Sequence, residues 1–84
     1  MFECNMVMEN KELREMTGQE NLLFPAFSFN LDIVTAYRQS VSEDGDLEDY
    51  TVIYTEFGDT WCIDVPFDEF NYTYKKYIDD NKTV

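Results

Sequence analysis

The stretch "DYTVIYTEFGDTWCIDVP", residues 49–66, decides the fold. Two runs rich in β-branched and aromatic residues flank Gly58-Asp59. Glycine at the first turn position predicts a β-hairpin closed by a two-residue type II′ turn. Val52 is then expected opposite Val65, Tyr54 opposite Ile63 and Glu56 opposite Trp61. That pairing gives one face of Val52, Tyr54, Trp61, Ile63 and Val65, the expected core face. Thr51, Ile53, Thr55, Phe57, Thr60, Cys62 and Asp64 form the other.

Upstream of the hairpin, apolar residues alternate from Phe27 onward. Phe27, Phe29, Leu31, Ile33, Thr35 and Tyr37 share one side, against Ser28, Asn30, Asp32, Val34, Ala36 and Arg38. A period of two marks a half-buried strand, long enough here to be bent or bulged near its middle. Downstream, Pro66 suits a first helical turn, and Asp68 and Glu69 complement the positive end of a helix. Phe67, Phe70, Tyr74, Tyr77 and Ile78 recur at helical spacing. Near the N-terminus, "MVMENKELREMTG" (residues 6–18) predicts a short helix ended by Gly18, with a Lys11–Glu15 pair and a weak apolar set of Leu13 and Met16. "NLLFPAF" (residues 21–27) then serves as a connector, Pro25 discouraging helix at Phe24. The expected architecture is one α+β domain over residues 1–84. It has a three-stranded antiparallel sheet, built from a long strand plus the β-hairpin, with an N-terminal and a C-terminal helix on one side.

The chain's 84 residues include seven Phe, six Tyr and one Trp. These supply one compact core and leave little for a deep, enclosed active site. Eighteen Asp and Glu face six Lys and Arg, a net charge of −12. From Gln39 to Tyr74 there are ten acids and no Lys or Arg. Such a surface argues against direct binding to nucleic acid or to an anionic membrane, both of which need cations. No signal-peptide pattern and no membrane-spanning run is visible. Cys4 and Cys62, far apart and in unlike contexts, are expected as reduced thiols in a cytoplasmic protein.

Catalysis fits the composition poorly. There is no His, the side chain best matched to acid–base work near neutral pH. Paired carboxylates could replace it, but here they fall on turns without apolar walls to raise a pKa. Cys62, between Trp61 and Ile63, reads as a small packed hydrophobe rather than a nucleophile. Asp44, Asp46 and Glu48 have the alternate spacing of a calcium loop. Counting from Asp44, however, the sixth and twelfth positions hold Asp49 and Thr55, where the pattern needs Gly and Glu. A zinc site lacks ligands. No catalytic residue, metal or cofactor is expected.

Interaction is the reading that remains. Residues 43–49 hold five carboxylates in seven positions, Glu43, Asp44, Asp46, Glu48 and Asp49. They are either a solvated strand connection or a surface that steers and pairs with Lys and Arg of a basic partner. Asp68 and Glu69, where the last strand leaves the sheet, are expected to support them at the same end, with Tyr50 interleaved. The alternative is a structural or assembly module that homodimerises through an outward hairpin face of Ile53, Phe57 and Cys62. The runs "SEDGDLEDY" and "DVPFDEF" make the chain similar to the small acidic inhibitors encoded by bacteriophages and mobile elements. These include anti-CRISPR and anti-restriction proteins, some of which imitate nucleic-acid charge. The resemblance lies in composition over residues 43–69 and transfers no individual residue. It implies a non-enzymatic inhibitor of a basic, nucleic-acid-binding host protein of nuclease type, acting in the host cytoplasm.

Overall fold

The computed structural model describes residues 1–9, 11–18 and 22–82. Its centre is the three-stranded antiparallel sheet β5-β6-β7, comprising Val34–Val41, Leu47–Thr55 and Thr60–Ile63. The hairpin forms where the sequence places it, but with another loop and another register. Thr55 N–H donates to Asp59 O at 2.9 Å, and Gly58 N–H donates to Thr55 O at 3.1 Å. The loop is therefore Glu56-Phe57-Gly58, a tight turn followed by glycine at φ 85°, which is the three-residue hairpin connection. Asp59 N–H also donates to the Thr55 hydroxyl at 3.2 Å, fixing the start of the turn.

The consequence is a register in which Thr51 faces Ile63, Val52 faces Cys62, Ile53 faces Trp61 and Tyr54 faces Thr60. Relative to the type II′ expectation β6 slides by an odd number of residues, and an odd slide turns a strand over. Trp61, Ile63 and Val65 keep the inward face expected of them. On β6 the inward residues are Thr51, Ile53 and Thr55, whereas Val52 and Tyr54 lie on the other side. Ile53 and Ile63 are both fully buried. The proposed outward face of Ile53, Phe57 and Cys62 therefore does not exist: Ile53 is core, Phe57 projects from the loop, and only Cys62 faces away.

The same loop recurs between β5 and β6. Ser42 N–H donates to Asp46 O at 2.8 Å and Gly45 N–H to Ser42 O at 3.0 Å, with Gly45 at φ 87°. The Asp46 N–H donates to the Ser42 hydroxyl at 3.1 Å. "SEDGD" (42–46) and "TEFGD" (55–59) are one motif used twice: a hydroxyl that caps, two turn residues, a left-handed glycine and an aspartate. A Cβ at Gly58 would meet no neighbouring atom, so Gly58→Ala isolates the backbone term. It should lower stability by about 1 kcal/mol, read from the urea midpoint with an unchanged slope.

The long alternating run is two strands. β4 (Ala26–Phe29) ends at Asn30, whose side chain accepts from Asp32 N–H to start a 3-10 turn, Leu31–Ile33, before β5 begins at Val34. The turn and a register irregularity between Val34 and Ala36 keep Phe29, Leu31, Ile33 and Tyr37 against the core despite the break.

The N-terminal region is the largest departure from expectation. Among the described residues of the 6–18 stretch, helix is confined to the second half. β1 (Phe2–Asn5) pairs antiparallel with β4, and β2 (Met8–Glu9) with β3 (Leu22–Leu23). Only Lys11–Thr17 is helical (α1), and Gly18 follows it at φ 72°, the ending the sequence indicated. The Lys11–Glu15 pair and the Leu13 face rest on side chains outside those described. The helical signal loses because Met6 and Val7 are drawn into backbone pairing. Met6 N–H donates to Pro25 O at 2.9 Å, Val7 N–H to Cys62 O at 2.8 Å, and Asp64 N–H to Asn5 O at 2.7 Å. The last two bonds dock the N-terminal ribbon along the edge of β7. The molecule is elongated, 54 × 23 × 20 Å.

α2 (Phe67–Lys82) crosses the inner side of the sheet with the face expected from its spacing. Phe70 is fully buried, and its ring meets Phe2 at 5.5 Å and Tyr37 at 5.1 Å, both edge-on. Phe27 and Trp61, 4.9 Å apart, close the core under the ribbon. Polar tips of the aromatic residues tie the helix down: Tyr37 donates to Asn71 at 2.6 Å, Tyr74 to Val34 O at 3.1 Å, and Tyr77 to the Asp32 carboxylate.

Candidate functional site: an acid-rimmed cleft

The outer face of the sheet carries the alternate residues of each strand, and its neighbours define a cleft of about 350 Å³. Val7 and Leu22 of the N-terminal ribbon form one wall. Tyr50, Cys62, Val41, Ser42, Glu43, Asp44 and Glu48 complete the lining. The ribbon reaches this position because of the Val7–Cys62 backbone bond. The acids reach it because the Ser42–Asp46 loop turns tightly at the end of β5. Glu48 is held from two sides: Ser40 donates to its carboxylate at 2.8 Å and the Gln39 amide to its carbonyl at 3.1 Å.

Of the five acids expected to act together, Glu43, Asp44 and Glu48 border the cleft. Asp46 and Asp49 are exposed and do not line it, although Asp49 is near enough to act on its neighbour Tyr50. Asp68 and Glu69 are not part of this group. Thr51 donates to Val65 O at 2.8 Å, which puts the chain entering α2 on the inner face, while the cleft lies on the outer one. Asp68 lines a shallow recess along α2 together with Lys75 and Lys76, a surface of mixed charge.

Sequence reasoning missed Asp64 as a contributor, along with Val7, Leu22 and Cys62 as walls. Burial, then the charges of Asp64, Glu48 and Asp49, raise the Tyr50 hydroxyl above its usual range and keep it protonated. Burial first, and the neighbouring Glu48 and Asp64, raise the Cys62 thiol, while Ser40 and Arg38 act in the opposite direction. The signal for Asp64 was present in the alternation of β7, which already placed it outward with Cys62. No signal marked Val7 and Leu22, because their position depends on the ribbon pairing.

Neither thiol is set up as a nucleophile. Cys4 packs against the core, and burial followed by the charge of Asp64 pushes its pKa from 9.0 up to about 11. At pH 8 the native protein should therefore react with a thiol reagent on the order of a hundred-fold more slowly at Cys4 than the unfolded chain does. The raised pKa also sets a sign for stability. Below pH 9 both states hold the proton and Cys4 contributes nothing to the pH dependence. As pH rises from 9 toward about 11, only the unfolded state releases it, so stability falls across that window.

Among the described residues no group of three His, Cys, Asp or Glu side chains is placed to hold a metal ion. No helix among them is long and apolar enough to cross a membrane. A second hollow of about 320 Å³ lies between α2 and the N-terminus, lined by Phe2, Leu31, Tyr77, Lys76 and Asp80. It is apolar with one residue of each charge and has no convergent chemistry. Comparisons with protein-family models, with curated proteins and with solved structures find no match.

Proposed function

We propose that this chain is a non-enzymatic binding protein that docks on a basic, nucleic-acid-binding protein of nuclease type and inhibits it. One observation carries the reading: Glu43, Asp44 and Glu48 line a hollow together with Val7, Leu22, Val41 and Tyr50, within a segment of ten acids and no Lys or Arg. An excess of carboxylates beside apolar side chains has the composition of a docking surface for cations, where charge sets encounter rate and partner choice and the apolar part contributes affinity. Inhibition follows if the partner's cationic surface is the one its nucleic acid uses. A carboxylate-rich surface then competes for the same Lys and Arg in the manner of a nucleic-acid mimic, the mode of the phage and mobile-element inhibitors that this composition resembles.

The test is affinity capture on tagged protein from cell lysate, eluted by a salt gradient, followed by assay of whatever is retained. The expected result is a basic nucleic-acid enzyme that binds at low salt, leaves at high salt, and loses activity when the purified chain is added. Retention that ignores salt, or full activity of the retained enzyme in the presence of excess chain, overturns the proposal. The alternative, an assembly module, is favoured by a different surface from the one the sequence suggested. Met8, Leu23 and Phe24 on the outer ribbon are between 43% and 47% exposed. Sedimentation at several concentrations separates the two readings, since a tight dimer indifferent to salt supports the alternative.

A further inference from the structure

We infer that the cleft takes an extended polypeptide segment in which an arginine stands next to an apolar side chain, the guanidinium lying among Tyr50 and the acidic rim and the apolar group against Val7 and Leu22. This rests on the docking function proposed above and goes further by naming what enters the cleft. Three features lead to it. First, Glu43, Asp44 and Glu48 all line the hollow, while no group of three ligands for a compact metal ion is found among the described residues. A cation spread over several atoms can meet more than one of these carboxylates. Second, Val7, Leu22, Val41 and Tyr50 stand among these carboxylates, so the lining is part apolar and part charged. Arginine suits that lining better than lysine, because its guanidinium is planar, weakly hydrated, stacks on aromatic rings and pairs with carboxylates in a fork. Third, about 350 Å³ is at the small end of ligand sites, room for side chains of a strand or loop and not for a folded element.

The probe is the blocked peptide Gly-Arg-Leu-Arg-Gly, titrated into isotope-labelled full-length chain and followed by amide chemical shifts. Two further peptides replace both arginines by lysine, or the leucine by glycine. Binding should move the amides of Val7, Leu22, Tyr50 and Cys62. The lysine peptide should bind about three-fold more weakly, and the leucine-free peptide about five-fold more weakly. Leu22→Ser removes apolar wall without changing charge. It should weaken the arginine–leucine peptide by a similar factor and leave the leucine-free peptide unaffected. Equal binding of the arginine and lysine peptides, with shifts confined to residues 43–46 or to α2, overturns the inference. If the chain captures a basic enzyme in a salt-dependent way but the peptides leave the cleft unshifted, the docking function stands and this inference falls. If neither enzyme nor peptide binds, both fall.

Discussion

Ile53→Asn should leave the chain largely unfolded in buffer, whereas Tyr54→Asn, one position along the same strand, should cost far less. Ile53 has no accessible surface and packs with Ile63 and Phe70, while Tyr54 is half-buried on the outer face. Replacing a buried aliphatic side chain removes about 2–5 kcal/mol of apolar burial and packing. An amide left without hydrogen-bond partners in that position adds about 1–3 kcal/mol. Domains of this size have total stabilities near the low end of roughly 5–15 kcal/mol, so the sum is comparable with everything that holds the fold together. The pair of variants also decides the register. Under a two-residue Gly58-Asp59 turn the sensitivities would reverse, because Tyr54 would then face the core and Ile53 solvent. Circular dichroism with urea titration reads the result. A folded Ile53→Asn protein beside an unfolded Tyr54→Asn protein would mean that the strand is turned over.

That reversal shows which parts of this fold were legible in the sequence. Elements whose signal is local were read correctly: the existence of the hairpin, the inward face of β7, the helix after Pro66 and its aromatic stripe, and the stop at Gly18. The face of β6 was not, because it depends on whether the loop holds two residues or three, and both loops accommodate a glycine at position 58. The deciding information was nonetheless in the chain. "SEDGD" and "TEFGD" share a capping hydroxyl, a glycine and an aspartate at the same spacing, and the Thr55 hydroxyl that accepts from Asp59 has no role in a two-residue turn. The N-terminal misreading has another origin. Residues 6–18 have a fair helical composition, but Met6 pairs with Pro25 inside the ribbon, and pairing of Val7 with Cys62 and of Asn5 with Asp64 satisfies groups that would otherwise stay open along the edge of β7. Such long-range partners leave no periodic trace, and tertiary pairing overrides a weak local propensity. The candidate site shares this division: its rim was visible as a run of acids, and its walls were not.

Neutralising the rim is expected to abolish the proposed binding while sparing the fold. In the variant Glu43→Gln, Asp44→Asn, Asp46→Asn, Glu48→Gln and Asp49→Asn, side-chain size is nearly unchanged and five negative charges are lost. Ser40 still finds an acceptor in the amide oxygen at position 48, and the Ser42 cap of the loop is untouched. The replaced carboxylates stand among like charges in a chain of net charge −12, so their removal relieves repulsion and the melting temperature should hold or rise. Affinity for the basic partner should fall on the order of a hundred-fold at low salt, since each exposed pair contributes little alone and several act together. The salt dependence is the more discriminating observable. The logarithm of affinity should decline steeply with ionic strength for the natural chain and be nearly flat for the variant, because screening acts only on charge that is present. A variant that keeps both affinity and salt slope would make the acidic loop a solvated connection and leave the binding to acids outside residues 43–49. A variant that binds weakly but keeps the full slope would place the working acids elsewhere, with Asp64 first among them because it is near enough to act on both Tyr50 and Cys62.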